Sequence, residues 1–165
     1  MYEELRGVLA HEIGHIVNRD ILVQTIAGVM ASAIVTLANI FQFTAIFGGG
    51  NRDGEGGGNP LAALALALLA PLAAGIIQMA ISRSREYLAD DTGAALCGQP
   101  LALAGALAKL GAASGRVPMQ QGNPSTEQMF IVAPLFGRGG MASLFSTHPP
   151  LEERIQRLRA MAAGR

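Results

Sequence analysis

Three features of the sequence predict its fold class: two long charge-free stretches, an HExxH pentapeptide ahead of them, and a carboxylate-rich helical segment behind them. Together they define a mainly α-helical integral-membrane protein. An HExxH zinc-peptidase helical domain carries a transmembrane helical hairpin inserted between its two zinc-ligand helices, and a minor β element follows. The 165 residues are enough for one domain, spanning 1–165. Half of the residues are hydrophobic and only 15% are charged, against roughly 25% charged in soluble domains. The mean hydropathy of +0.35 agrees. A net charge of +0 gives no basic footprint for nucleic acid. Cys97 is the single cysteine, so no internal disulfide forms, and it reads as a small buried apolar side chain. The start, MYEELRG, lacks the apolar core of a secretory signal, and no cleaved targeting segment is expected.

Residues 1–20 form the first element. From Glu3 to Asp20 the pattern is that of an amphipathic helix, with Leu5, Val8, Leu9, Ile13, Ile16 and Val17 as candidate packing positions. Within it lies His11-Glu12-Ile13-Gly14-His15. Helical residues four apart share one face, so His11 and His15 can grip one metal ion while Glu12 stands beside it without binding. A carboxylate in that slot can take a proton from a zinc-bound water, whose pKa the metal lowers to about 7. The collar Asn18-Arg19-Asp20 closes the helix. Asp20 either orients a ligand histidine or an arginine, or is a solvated carboxylate at the junction with the membrane.

Ile21 to Phe47 and Pro60 to Ser82 run for 27 and 23 residues without a charge. As helices they reach about 40 and 34 Å, enough for a hydrocarbon core of about 30 Å. Residues 21–47 and 60–82 are therefore read as transmembrane helices, the second kinked at Pro71. A chain this short cannot easily surround two such helices with protein. The connection at 48–59, GGGNRDGEGGGN, is a flexible loop; it lacks the Lys-Ser/Thr ending of a phosphate loop. Two spans joined by a short loop return the chain to one face of the membrane. Arg6, Arg19, Arg83 and Arg85 flank the outer ends, whereas Arg52 in the loop is offset by Asp53 and Glu55, which predicts a cytoplasmic face.

A catalytic zinc takes about three protein ligands and keeps a position open for water. Residues 83–165 hold the candidates for the third. In SRSREYLADDTGAALCG, Glu86 and Asp90 are four apart on one helix face. Glu86 can bind the metal while Asp90 accepts a hydrogen bond from the outer nitrogen of a ligand histidine. Asp91 points elsewhere around the helix and is the fallback. The plainer alternative pairs Glu86, Asp90 and Asp91 with Arg83 and Arg85 on a solvated face.

With these residues in place, the chain resembles the HtpX family of membrane-embedded zinc proteases, related to the CAAX prenyl protease. The resemblance rests on VLAHEIGHIVNRD, the apolar pair around a glycine-rich loop, SRSREYLADDTGA and FSTHPPLEERIQRL, in family order. It covers most of the chain except the stretch around Gly111 to Gln128. It implies His11, His15 and Glu86 as zinc ligands, Glu12 as catalytic base, Asp90 as structural support, and a role in membrane-protein quality control. Family members carry two further membrane segments and the beginning of the protease fold upstream of the zinc helix. Only ten residues precede His11 here, so those N-terminal segments are expected to be lacking.

The C-terminal third reads as follows. Pro100 opens a small apolar packing helix over Leu101 to Ala113, Gly115 to Gln128 is a surface loop, and Met129-Phe130-Ile131-Val132 is a short strand that needs partner strands. Pro149 and Pro150 lead into LEERIQRLRAM, where Glu152 and Glu153 complement the helix dipole. His148 is either a helix-capping histidine or, as the family resemblance implies, a group beside the zinc that stabilises the oxyanion of a tetrahedral intermediate. Arg154 either reaches the site or is an ordinary arginine of an amphipathic helix.

The expected function is a membrane-bound zinc-dependent endopeptidase using Zn2+, with Glu12 and His148 catalytic. Its partners are protein or peptide substrates, misfolded membrane proteins among them, and the lipid bilayer. Its location is the inner (plasma) membrane, multi-pass, with the active site on the cytoplasmic face. The alternative is a catalytically inactive zinc-binding membrane fragment or scaffold. A small transporter-like hairpin is disfavoured, because neither span holds an ionisable residue. No substrate-binding residue is legible.

Overall fold

The computed structural model describes residues 1–47, 60–114 and 148–164. The glycine-rich loop expected at 48–59, the loop over Gly115 to Gln128 and the strand expected at Met129 to Val132 lie outside them. The described residues form five helices: α1 Tyr2–Val17, α2 Asp20–Phe47, α3 Pro60–Cys97, α4 Pro100–Ser114 and α5 Leu151–Ala162. Among the described residues there is no strand. They divide into two compact units, one made of Met1–Leu22 with Met79–Arg165 and the other of Val23–Gln78, which interrupts the first in sequence.

In the first unit, α1 begins with Glu3 and Glu4 in its first turn, where carboxylates meet the positive end of the helix dipole. It ends at Asn18, whose backbone N–H donates to the carbonyl of Gly14, while the N–H of Arg19 donates to that of Ile16. Arg19 then takes a left-handed conformation, φ 55°, which an L-residue does not continue as a helix. α2 starts immediately afterwards at Asp20.

The packing face of α1 differs from the one its hydrophobic periodicity predicts. Leu5, Leu9, Ile13, Ile16 and Val17 are exposed and Val8 is half-buried, while Gly7, Ala10, His11 and Gly14 are buried. The reason is backbone approach. A Cβ on Gly7 would lie 2.7 Å from the backbone nitrogen of Leu103 in α4, and one on Gly14 would lie 2.8 Å from the carbonyl oxygen of Ala89 in α3. From the α3 side, a Cβ on Gly93 would lie 2.8 Å from the backbone of His11. Small residues let the helices meet this closely, and the large apolar side chains are left on the other face.

α3 runs unbroken past Pro71 and joins the second apolar stretch to the carboxylate-bearing segment in one helix of 38 residues. It stops at Gly98, which has φ 67° and returns its N–H to Ala94, the left-handed ending that glycine favours. Pro100 opens α4, where its missing N–H costs nothing. The core of this unit is Ala94, Leu103, Ala104, Leu107 and Leu158, with Leu151, Ile155 and Met161 packed around it. α5 is thereby fixed against α4, and Cys97 is buried as expected.

In the second unit the buried side chains are alanines, Ala31, Ala38, Ala63, Ala70 and Ala74, whereas Val29, Ile34, Leu37, Phe41, Leu64, Leu68 and Leu72 are exposed. Small residues inside and large apolar residues outside suit a lipid solvent, in which close backbone packing rather than hydrophobic burial associates helices. Two helices, Asp20–Ala45 and Leu61–Cys97, are long and apolar enough to cross a membrane, and the qualifying window of each is 11% buried. The core helix of a soluble protein would be mostly buried.

Candidate metal centre

Every residue of the candidate site belongs to the first unit. α1 supplies His11 and His15, α3 supplies Glu86 and Asp90, and the end of the chain supplies His148 and Arg154. One turn of α1 separates the two histidines, and their Nε2 atoms converge to 3.1 Å. From α3, the Glu86 carboxylate faces both, with Oε2 3.7 Å from His11 Nε2 and Oε1 3.7 Å from His15 Nε2. Ligand atoms of His11, His15 and Glu86 all lie within 4.8 Å of one another.

The outer nitrogens explain why the inner ones converge. His15 Nδ1 lies 2.5 Å from Asp20 Oδ2, and His11 Nδ1 lies 2.9 Å from Asp90 Oδ1. A carboxylate at Nδ1 holds the proton there and leaves the Nε2 lone pair free for a metal. Asp20 is buried, so it is not the solvated junction carboxylate but the residue that orients His15. Asp90 is likewise buried, beside His11.

Two side chains from the chain end complete the surroundings. Arg154 is fully buried and donates from Nε and Nη2 to the two oxygens of Asp90, both at 2.7 Å, while its Nη1 lies 3.0 Å from Glu86 Oε2. It is therefore part of the site and not an amphipathic-helix surface residue. The one trace of this in the sequence is the spacing of Arg154 four residues before Leu158, which puts both on the face of α5 that is buried. His148 is also buried, and its Nδ1 lies 3.6 Å from Glu86 Oε1. The capping alternative does not hold, because the N-cap of α5 is Pro150 and no side chain caps it.

The cluster holds three buried carboxylates, Asp20, Glu86 and Asp90, and one buried guanidinium, Arg154. The charge-free stretch of α3 ends at Ser82, so both of its buried acids lie beyond it. Burial acts to raise the Glu86 and Asp90 carboxyls, but the basic groups around them win and both end below the usual carboxylate range. His148 and Arg154 act on Glu86, and Arg154 and His11 act on Asp90. For Arg154, burial opposes the charge, yet Asp90 and Glu86 hold its pKa above the ordinary arginine value. Glu12 is exposed on α1. Asp91, the fallback ligand, pairs at 2.9 Å with Arg157 away from the histidines, and that guanidinium stacks 4.4 Å from the centre of the Tyr87 ring. The solvated pairing of Glu86 and Asp90 with Arg83 and Arg85 does not form; both acids are buried with Arg154.

Two imidazoles and one carboxylate are a donor set suited to zinc. Zinc–nitrogen bonds of about 2.0–2.1 Å at a tetrahedral angle separate two nitrogens by about 3.3 Å, close to the 3.1 Å between His11 and His15. The residues present therefore fit the metal.

An HExxH helix whose histidines meet a glutamate from a distant helix defines a metallopeptidase class. The chain belongs to peptidase family M48, whose profile matches residues 1–162. Among curated relatives, the "Protease HtpX homolog" of Syntrophobacter fumaroxidans is 56% identical over 161 residues, covering 96% of this chain and 57% of that one. The protein of the same description from Syntrophotalea carbinolica is 58% identical over 160 residues, with 96% and 57% covered. That from Thermococcus kodakarensis is 55% identical over 160 residues, with 97% and 55% covered. The chain thus spans about half the length of the curated relatives it matches. No solved structure matches it.

Proposed function

We propose that this chain is the metal-binding portion of a membrane-bound, zinc-dependent endopeptidase. The observation that carries the reading is the convergence of His11 Nε2, His15 Nε2 and the Glu86 carboxylate, each held from behind by a charged partner. His11, His15 and Glu86 hold the zinc. When bound, zinc supplies a Lewis acid that polarises the scissile carbonyl and makes water acidic enough to react near neutral pH. Glu12, next to a ligand and open to solvent, accepts the proton of the attacking water and passes it to the leaving amine. His148 donates a hydrogen bond to the oxyanion of the tetrahedral intermediate. Asp20 and Asp90 face the Nδ1 atoms of His15 and His11, and Arg154 offsets part of the negative charge of Asp90 and Glu86.

In this reading residues 21–47 and 60–82 form the transmembrane hairpin. It is inserted between the HExxH helix at 1–20 and the catalytic portion at 83–165, with 48–59 as its connecting loop. The arginines flanking the spans favour a cytoplasmic metal face. A site at the surface of the inner membrane suits protein substrates presented from the bilayer; the relatives are named as proteases, and quality control of misfolded membrane proteins is the role that the resemblance to the HtpX family implies.

The test is metal content per chain in detergent, followed by cleavage of an unfolded protein substrate. About one zinc is expected in the wild type and in Glu12→Gln, little in Glu86→Ala, and cleavage only in the wild type. Zinc in the wild type without cleavage would favour a metal-binding scaffold; no zinc at all would remove the proposal.

A further inference from the structure

The turn between α1 and α2 is held by side chains that the zinc reading leaves unused. Its middle residue, Arg19, stands at φ 55°, a conformation that persists in a non-glycine residue only when its surroundings impose it. Two anchors from α3 impose it. Asn18 and Thr92 exchange hydrogen bonds, Asn18 Nδ2 donating to Thr92 Oγ1 at 3.1 Å and the hydroxyl lying 3.3 Å from Asn18 Oδ1. Arg85 donates from Nη1 to the backbone carbonyl of Asp20 at 3.1 Å. The turn is therefore pinned on both sides of Arg19, and the residue that emerges is Asp20, whose buried carboxylate meets His15 Nδ1.

We propose that Arg85, together with the Asn18–Thr92 pair, is a positioning device for the metal centre. It fixes the backbone of Asp20, Asp20 fixes the proton of His15 on Nδ1, and the Nε2 lone pair of His15 is aimed at the metal. The inference rests on the zinc reading for its purpose, but the hydrogen-bond chain belongs to the protein alone. It explains why one turn of α3 carries adjacent Arg85 and Glu86: the glutamate is the third ligand, and the arginine secures the second ligand from behind. Arg85 and Thr92 lie outside the candidate ligand group of His11, His15 and Glu86 and act through the turn that ends at Asp20.

The experiment uses the full chain in detergent micelles and reads two quantities. The first is the imidazole nitrogen NMR shifts of the metal-free protein, which show whether His15 carries its proton on Nδ1. The second is zinc affinity by competition with a chelator. In the wild type, His15 is expected as the Nδ1–H form. Arg85→Met is expected to give a mixture of tautomers and to weaken zinc about 10-fold or more, the range found for partners behind metal-bound histidines. Adding Arg85→Met to Asp20→Asn should weaken zinc no further, because both act along one chain of contacts. Thr92→Val should lose affinity in the same way and Thr92→Ser should retain it, a comparison that still decides the matter if Arg85→Met does not fold. An unchanged tautomer in Arg85→Met and Thr92→Val, or the same loss of affinity with and without Asp20, would overturn the proposal. A wild type that holds the Nδ1–H form but takes up no zinc would sink the zinc reading alone, and the tautomer comparison would then decide the positioning role.

Discussion

Arg154 grips Asp90 through two parallel hydrogen bonds of 2.7 Å, Nε to Oδ2 and Nη2 to Oδ1, in a pair sealed from solvent. This fork-to-fork contact joins α5 to α3, and Asp90 in turn stands 2.9 Å from His11 Nδ1. The third nitrogen of the same guanidinium reaches Glu86. A single arginine thus holds the partner of one histidine and the carboxylate proposed to bind zinc.

Arg154→Met is expected to destabilise the fold by about 3–5 kcal/mol, because it leaves Asp90 and Glu86 buried without their cation. Arg154→Lys should recover only part of the loss, since an ammonium cannot make the planar bidentate contact. Denaturant unfolding of the metal-free proteins checks both. Unfolding of Arg154→Met within 1 kcal/mol of wild type would mean that another cation serves the two acids.

Much of the site was legible because its chemistry is periodic. His11, Glu12 and His15 follow from a pentapeptide, and Glu86 and Asp90 from helical spacing; the structure brings the candidate ligand atoms of His11, His15 and Glu86 within 4.8 Å of one another and sets Asp90 beside His11. Asp20 and Arg154 were not decided by sequence, since an acid after a helix end and an arginine on a short helix have many ordinary settings. Only tertiary packing buries them. The face of α1 was misread for a different reason. Hydrophobic periodicity weighs large side chains, whereas Gly7, Ala10 and Gly14 pack by backbone approach, a signal carried by small residues at spacings of three and four. The paired long apolar stretches were plain from length alone and recur as α2 and α3.

Gly93→Ala should therefore damage the site at a distance. Its Cβ would stand 2.8 Å from the backbone of His11, so α1 must move away from α3. Overpacking of this kind costs about 1–3 kcal/mol, and the shift of His11 should lower zinc affinity as well. Gly75→Ala is the control, since a Cβ there meets nothing within 4 Å and replaces the weakest ordinary helix former. The comparison fails if both variants bind zinc like wild type.

At the other end of α1, Glu4 pairs with Lys109 of α4 at 2.7 Å, and its pKa lies below the ordinary 4.5, chiefly through the hydrogen bond from Lys109. A carboxylate depressed in the folded state contributes stability that is complete above its unfolded pKa. That contribution is lost as pH falls through the lower folded value. Glu4→Gln should leave the acid limb below about pH 4.5 shallower, and added salt should shrink the wild-type advantage at neutral pH because the pair is exposed. Unfolding midpoints measured from pH 6 downward decide this; identical acid limbs would rule out the pair as a contributor.

Metal removal offers the last test, and it separates ligands from their supports. A ligand that binds only the folded chain stabilises it by RT ln(1 + [L]/Kd), about 4 kcal/mol at a thousandfold excess over Kd. Chelation should accordingly lower the unfolding midpoint of the wild type, and added zinc should restore it in proportion to the logarithm of its concentration. Glu12→Gln should respond like wild type, because Glu12 is exposed and stands beside the ligands. Glu86→Ala should be nearly indifferent to both treatments, having lost the carboxylate that faces both histidines. Asp90→Asn should keep a response but need more zinc to reach it, since His11 would lose its charged partner at Nδ1 while retaining Nε2. A full zinc response in Glu86→Ala would remove Glu86 from the ligand set and leave the histidine pair in need of a different third donor.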